Sequence, residues 1–405
     1  AHFYVLVFPP LVMPISRDLG LPIEDVVNLS FTMYLLFGLT AIGWGFLSKK
    51  IGHKTAMAAG VILAGGGMLL AGFAPALSAS TGLLAFSLAL VGIGCGSYHP
   101  CGTALITQSV TRRGRALGVI GMWGNVGIAV VPFTVGLLNF LIGWQRGIII
   151  LGAAGVALGL SMFLVPLSVN QDEDKINLET LKKGHAGKLF IIFLFAFLFS
   201  GLMYRSFTVT LPAYLENQLG NITAAFRNFV QTRNAGAVEN PAFNTLTANL
   251  IATGIYVIGI AGQLVGGKIA DKVSLKWAYL IFYCIAGVFL LGMALFSNWM
   301  LILFSGLFIF FILGLQPIEN SLVAFLTPPK WRSVSYGIKF TIAFGIGSFA
   351  VKIIGWTEKI ISIDQIMWMV LAFLTAAVIV LIIFQIAGRG SKIDQKIDQE
   401  IETGL

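Results

Sequence analysis

Charged side chains are scarce in this sequence: Asp, Glu, Lys and Arg make up 11% of its 405 residues, against 57% hydrophobic residues and a mean hydropathy of +0.89. So little charge cannot clothe a water-soluble surface, which excludes soluble enzymes, nucleic-acid binders and disordered scaffolds. Cysteine is nearly absent. Cys95, Cys101 and Cys284 lie in apolar stretches, which argues against a disulfide framework and for small, buried, reduced side chains. No nucleotide-binding loop, metal-protease helix or serine-nucleophile turn occurs in any loop, so ATP-driven transport and intramembrane hydrolysis have no chemical support. No cofactor and no enzymatic reaction are expected.

What the sequence has instead is long apolar runs. Thr55 to Thr111 and Trp277 to Ile318 contain no charged residue over far more than the roughly 20 residues of one membrane span, so each must hold two helices. Small and polar residues mark the breaks, from Ala74-Pro75 to Thr81 and at Ser297-Asn298-Trp299. With the other runs, spans are expected near 1–16, 26–48, 55–74, 82–108, 116–140, 144–167, 189–215, 246–270, 276–296, 299–326, 334–356 and 364–387. The fold class is therefore an all-α membrane protein of twelve transmembrane helices. The first span is too short to cross about 30 Å at about 1.5 Å per residue. The sequence begins at Ala1 without Met, so the start of that helix is expected to lie outside it, and no signal peptide can be read.

Loop charge orients the chain. Of the 26 basic residues, eighteen fall on one side, including Lys49, Lys50, Lys54, Arg112, Arg113, Arg115, Lys268, Lys272, Lys276 and Arg389. Six fall on the other (Arg17, Arg146, Arg227, Arg233, Lys352 and Lys359), and Arg205 and Lys339 lie within spans. The richer side is assigned to the cytoplasm, with both termini there, in the inner (plasma) membrane. This accounts for the net charge of +9 without a nucleic-acid partner.

The polar segment 168–188, with Asp172, Glu173, Asp174 and several lysines, divides the spans six and six. The expected organisation is a bundle over 1–167, a cytoplasmic linker over 168–188, a second bundle over 189–388 and a cytoplasmic tail over 389–405. Glu216 to Thr245 reads as a polar outer loop; Asn221-Ile222-Thr223 inside it fits a glycosylation acceptor, but a plain loop accounts for it as well.

Two loops repeat across this six-span offset. After the second span comes Gly45-Phe46-Leu47-Ser48-Lys49-Lys50-Ile51-Gly52-His53-Lys54, and after the eighth Gly267-Lys268-Ile269-Ala270-Asp271-Lys272-Val273-Ser274-Leu275-Lys276. They resemble the loop signature of the major facilitator superfamily, in which a Gly, an acid three or four residues on and a basic cluster tie helix ends together. The resemblance implies two six-helix bundles rocking around a central site, with Gly45, Ser48, Lys49, Gly267, Asp271 and Lys272 in gating loops. The first copy departs from the pattern, with Ser48 where the family has Asp. Arg112-Arg113-Gly114-Arg115-Ala116-Leu117-Gly118 is similar to the basic loop of drug-efflux facilitators, and Gly118, Gly121, Gly124 and Gly127 form a ladder that permits close helix approach. The antiporter form of that helix carries a Gly-Pro pair where Gly124 is here followed by Asn125. Ala1-His2-Phe3-Tyr4 with Pro9-Pro10, and Ser97-Tyr98-His99-Pro100, resemble the fosmidomycin-resistance branch, which implies proton-coupled export of a small amphiphilic or anionic compound by a monomeric transporter. Uptake of an organic anion or metabolite, a non-transporting receptor and a lipid flippase remain alternatives.

An ionisable side chain at bilayer depth costs at least about 2.5–3.5 kcal/mol, so each needs a partner, a cavity or a task. Arg205 reads either as an anion-binding group or as a snorkelling, structural Arg. Glu319 is the carboxylate in a span core; Gln316, Glu319, Asn320 and Val323 share its helix face. Lys339 and Glu319 lie at similar depth on either side of one loop, about 10 Å from it at about 1.5 Å per residue. They are expected to pair, either as a proton-coupling switch or as a permanent bridge. His99, beside Tyr98, is a candidate substrate or proton site, or a structural His. A metal site of His2, Cys95, His99 and Cys101 is disfavoured, because Cys101 points elsewhere and no carboxylate is near; no metal is expected. Tyr4, Trp123, Tyr204, Phe207 and Tyr256 are placed where they could line a cavity, although any bundle needs aromatics to fill it. With Arg205 and Lys339 set against one core acid, an anionic substrate group is expected, with protons and the lipid bilayer as the other partners.

Overall fold

The computed structural model describes residues 1–74, 81–102, 105, 113–166, 185–220, 241–270, 272–327 and 332–388. Most of the linker, the tail, the Asn221 motif, Asp271 and the Pro75 turn lie outside them. The regular elements among the described residues are all helical: α1 (His2–Val5), α2 (Val12–Leu19), α3 (Ile23–Leu29), α4 (Phe31–Ile51), α5 (His53–Phe73), α6 (Thr81–Cys95), α7 (Arg113–Ile142), α8 (Trp144–Ser161), α9 (His185–Gln218), α10 (Pro241–Ala270), α11 (Leu275–Leu295), α12 (Asn298–Leu326), α13 (Arg332–Phe340), α14 (Phe349–Ile361) and α15 (Ile366–Gly388). Among the described residues, eleven segments, from Ile23–Ile51 to Ile363–Gly388, are long and apolar enough to cross a bilayer. Their ends fall within a few residues of the expected spans, except where residue 108 lies outside the described residues.

The first expected span differs. It is broken into α1, a 3₁₀ turn at Pro9–Leu11 and α2, because Pro9 and Pro10 lack the N–H groups that would continue the ladder. Two spans change helical pitch partway. A π turn at Tyr98–Gly102 follows α6 and contains Pro100; another at Thr341–Gly345, then a 3₁₀ turn at Ile346–Ser348, joins α13 to α14. Such π turns recur at functional positions, where they re-aim side chains. The sharp turns between α4 and α5 and between α7 and α8 use Gly52 (φ +86°) and Gly143 (φ +83°), a backbone region that a β-carbon disfavours.

The helices group into two compact units. Unit 1 comprises Ala1–Glu173, Arg205–Thr253 and Phe344–Ile366; unit 2 comprises Asp174–Tyr204, Gly254–Ala343 and Met367–Leu405. Lipid tails are as apolar as leucine, so close packing and polar bonds, more than hydrophobic drive, hold such helices together. In unit 1, Tyr4 of α1 donates its hydroxyl to the Leu151 carbonyl of α8 at 2.7 Å, and Gly124 of α7 leaves room for the His2 ring. Arg17 pairs with Glu216 at the end of α9 and donates to Thr245 Oγ1 at 3.2 Å, while Asp18 accepts from Trp144 Nε1 at 3.0 Å and Gln145 Nε2 at 2.5 Å. In unit 2, Gly262 and Gly266 of α10 lie against the backbone of Phe310 and Gly314 in α12, with no room for a β-carbon at either glycine.

Candidate functional site

Unit 1 buries Arg205 on α9 at 3% exposure, its guanidinium carbon 3.9 Å from the ring centroid of Tyr34 on α4. The second ring is Phe344, 6.0 Å away, in the π turn between α13 and α14. Phe344 lies 4.8 Å from Phe37 and stacks on His99 at 5.7 Å and 14°. His99 in turn meets His2 at 5.4 Å and Tyr98 at 5.2 Å, both nearly edge-on. One ring system thus runs from the buried guanidinium to a half-buried imidazole pair, and both π turns supply rings to it. A guanidinium over a ring face gains cation–π attraction, and its planar fork of N–H donors matches an oxyanion. Sequence reasoning singled out Arg205, Tyr98 and His99 but missed Tyr34, Phe37 and Phe344, whose types are unremarkable in an apolar span; the Gly345-Ile346-Gly347 run after Phe344 was a usable sign of an irregular helix.

Tyr4 and Tyr98 also line a cavity of about 180 Å³ with Met57, Gly60, Ala64 and Cys95. Trp123 is 64% exposed on α7, whereas Phe207 and Tyr256 are buried and Tyr204 is half-buried. Among the described residues no three His, Cys, Asp or Glu side chains come together as a metal would require. The thiols of Cys95 and Cys101 instead face the carbonyls of Ala1 and Trp44 at 3.7 and 3.9 Å.

Unit 2 holds the buried ion pair expected of Glu319 and Lys339. Lys339 Nζ lies 2.5 Å from Glu319 Oε1 and also donates to Asn320 Oδ1 at 2.6 Å. The second carboxylate oxygen accepts from the Tyr279 hydroxyl of α11 at 3.1 Å, and one turn on, Tyr283 donates to Ser200 Oγ of α9. Phe197 caps the ammonium, with its ring centroid 5.0 Å away. Tyr336 of α13 donates to the Asn320 carbonyl at 2.8 Å, which ties α13 to α12 beside the pair. Gln316 takes a separate partner, accepting from Gln263 Nε2 of α10 at 3.3 Å. Sequence reasoning missed Tyr279, Tyr283 and Ser200, although Tyr279-Leu280-Ile281-Phe282-Tyr283 carries two hydroxyls at i and i+4, on one helix face.

Of the residues expected in gating loops, Gly45, Ser48 and Lys49 lie in the last turns of α4 and Gly267 near the end of α10, because both helices run on past the apolar spans. Ser48 is 2% exposed and donates back to the Gly45 carbonyl of its own helix at 2.9 Å. Lys49 Nζ lies 6.0 Å from the Phe46 ring, a β-carbon on Gly267 would meet Pro317 at 4.0 Å, and Lys272 sits in the turn before α11. Lys54 donates to the Val165 carbonyl at 2.5 Å, satisfying an orphan acceptor beyond α8.

Residues 3–351 match the family described as Major Facilitator Superfamily. The chain belongs to that superfamily. This superfamily member is 24% identical over 158 residues to the "Probable L-galactonate transporter" of Escherichia coli (strain K12), covering 38% of this chain and 33% of that protein. It is 25% identical over 269 residues to the "Probable nitrate transporter NarT" of Staphylococcus epidermidis, covering 62% of this chain and 66% of that protein. It therefore spans a third of the length of one relative and just under two thirds of the other.

Proposed function

We propose that the chain is a secondary transporter that moves a small anionic or amphiphilic compound by alternating access, coupled to protons. The observation that carries this is Arg205, a guanidinium buried at 3% exposure in a membrane span with its carbon 3.9 Å from the Tyr34 ring centroid, a fixed cation whose planar fork of N–H donors suits an oxyanion. Galactonate and nitrate, in the relatives' names, are both anions, which supports the same reading. Within unit 1, Tyr34, Tyr98, His99 and Phe344 contribute the rings around the substrate, with Tyr4 and Trp123 as further contacts; within unit 2, Tyr204, Tyr256, Gln316 and Asn320 are the candidate contacts. Glu319 carries the proton and Lys339 holds it in register, with His99 as the second candidate. The loop charges put both termini in the cytoplasm of an inner-membrane monomer, with bundles over 1–167 and 189–388 joined by the 168–188 linker. The helix ends carrying Gly45, Ser48 and Lys49 and Gly267, Asp271 and Lys272 act in gating, although Ser48 brings no charge to the first. Export is the direction that the fosmidomycin-resistance and drug-efflux resemblance favours; uptake is the alternative, distinguished by flux under an imposed pH gradient.

The test is counterflow in proteoliposomes preloaded in turn with galactonate, nitrate, a phosphonate and a cationic drug. Exchange is expected for one class of anion and for no cation. Exchange of the cationic drug alone would refute the anion assignment, and a protein that binds anions without exchanging any would be a receptor on this fold.

A further inference from the structure

The described molecule holds one feature that the proposed function does not use: a line of buried hydroxyls leading away from Glu319. Tyr279 and Tyr283 are 0% and 1% exposed, and Ser200 is 8% exposed. Tyr279 donates to Glu319 Oε2 at 3.1 Å and Tyr283, one turn on, donates to Ser200 Oγ, with the two tyrosine hydroxyls close to each other. The tyrosine rings meet edge-on at 5.1 Å, which fixes both hydroxyls on one side of α11. The other faces of the carboxylate are taken by Lys339 of α13, by Asn320 through Lys339, and by Phe197 of α9 over the ammonium.

A buried carboxyl group has opposite needs in its two states. Ionised, it only accepts; protonated, it must also donate. A fixed donor such as Lys339 or a backbone N–H serves the first state alone. A hydroxyl both donates and accepts, and its hydrogen rotates to suit, so a chain of hydroxyls can serve both states in turn. We infer that Tyr279, Tyr283 and Ser200 are positioning residues that let Glu319 take and release a proton in place, Tyr279 turning its hydrogen between the carboxylate and Tyr283 while Ser200 holds Tyr283 ready to accept it. With Glu319 ionised, Tyr279 points its hydrogen at Oε2. When a hydronium ion gives its proton to Oε2 and departs as water, the new O–H donates to Tyr279 Oη, and Tyr279 turns its own hydrogen to Tyr283 Oη. Tyr283 keeps donating to Ser200. The only covalent change is the O–H bond formed on Glu319, and no buried hydroxyl loses its partner in either state. The inference rests on Glu319 as the proton carrier and adds three residues that the superfamily match does not assign.

The test needs no substrate. Infrared difference spectra recorded as the pH of the purified full-length chain is lowered should show a protonated-carboxyl C=O band, lost in Glu319→Gln. Tyr279→Phe is expected to move that band to higher wavenumber, as a carboxyl that has lost a hydrogen-bond partner shows, and Tyr283→Phe, which removes no contact to the carboxyl, to move it the same way by a smaller amount. Each variant drops only a hydroxyl, and thermal unfolding of the same samples identifies any that misfolds; Ser200→Ala then replaces it as the distal probe. A band unmoved in Tyr279→Phe, or moved there but not in the distal variants, would overturn the chain while leaving Glu319 as carrier. A band that persists in Glu319→Gln would overturn both.

Discussion

Lys339→Ala is expected to destabilise the protein by about 3–5 kcal/mol, because it strips the counter-ion from a carboxylate that is buried inside a span. The geometry sets the size of the effect. Lys339 gives one N–H to Glu319 and another to Asn320, and the ammonium itself is 3% exposed, so no solvent can replace it. Glu319→Gln removes the opposite charge but leaves an amide whose oxygen can still accept from Lys339 while its NH2 donates to the Tyr279 hydroxyl, and its cost is expected to be smaller. Combining Glu319→Gln with Lys339→Met should recover most of the loss, since replacing both ions of a buried pair is often neutral or stabilising where breaking it is not. Thermal unfolding in detergent of the three variants checks this. A Lys339→Ala protein as stable as the double variant would mean that the pair contributes nothing to the fold.

Arg205→Met is expected to weaken the apparent affinity for the transported anion about thirty- to a hundredfold, from the loss of charge-assisted hydrogen bonds worth about 2–3 kcal/mol. Arg205→Lys should recover little of it. A lysine retains the charge but lacks the planar fork of parallel N–H donors that Arg205 holds over the Tyr34 ring. Concentration dependence of counterflow separates the cases: unchanged affinity in Arg205→Met would return this residue to a structural role beneath the Phe344 ring.

The chemistry of the bilayer made much of the fold legible in the sequence. Uninterrupted apolar runs have few alternatives to helices in lipid, so span positions and the Ser297-Asn298 break could be read from residues; Asn298 indeed turns the chain, with φ +66°. The scarcity of charge served the candidate sites in the same way. Where ionisable groups are costly, each one stands out, and Glu319, Lys339 and Arg205 were found for that reason. Their neighbours were hidden because a tyrosine or phenylalanine in an apolar span looks the same whether it faces lipid, fills a core or stacks on an arginine. Tyr34, Phe37, Tyr279 and Phe344 acquire meaning only from the side chains packed against them. Helix irregularity was similarly opaque: nothing in Thr341-Ile342-Ala343-Phe344-Gly345 except its glycine announces the π turn that aims Phe344 at His99 and Arg205.

The most direct test of the central claim is proton movement in proteoliposomes when an anion is added, with Glu319→Gln measured beside the parent. The account predicts that one class among phosphonates, organic acids and nitrate drives a pH change in the parent, that cationic drugs drive none, and that the change is lost in Glu319→Gln while anion binding persists. Anion-driven proton flux of equal size in Glu319→Gln would contradict it.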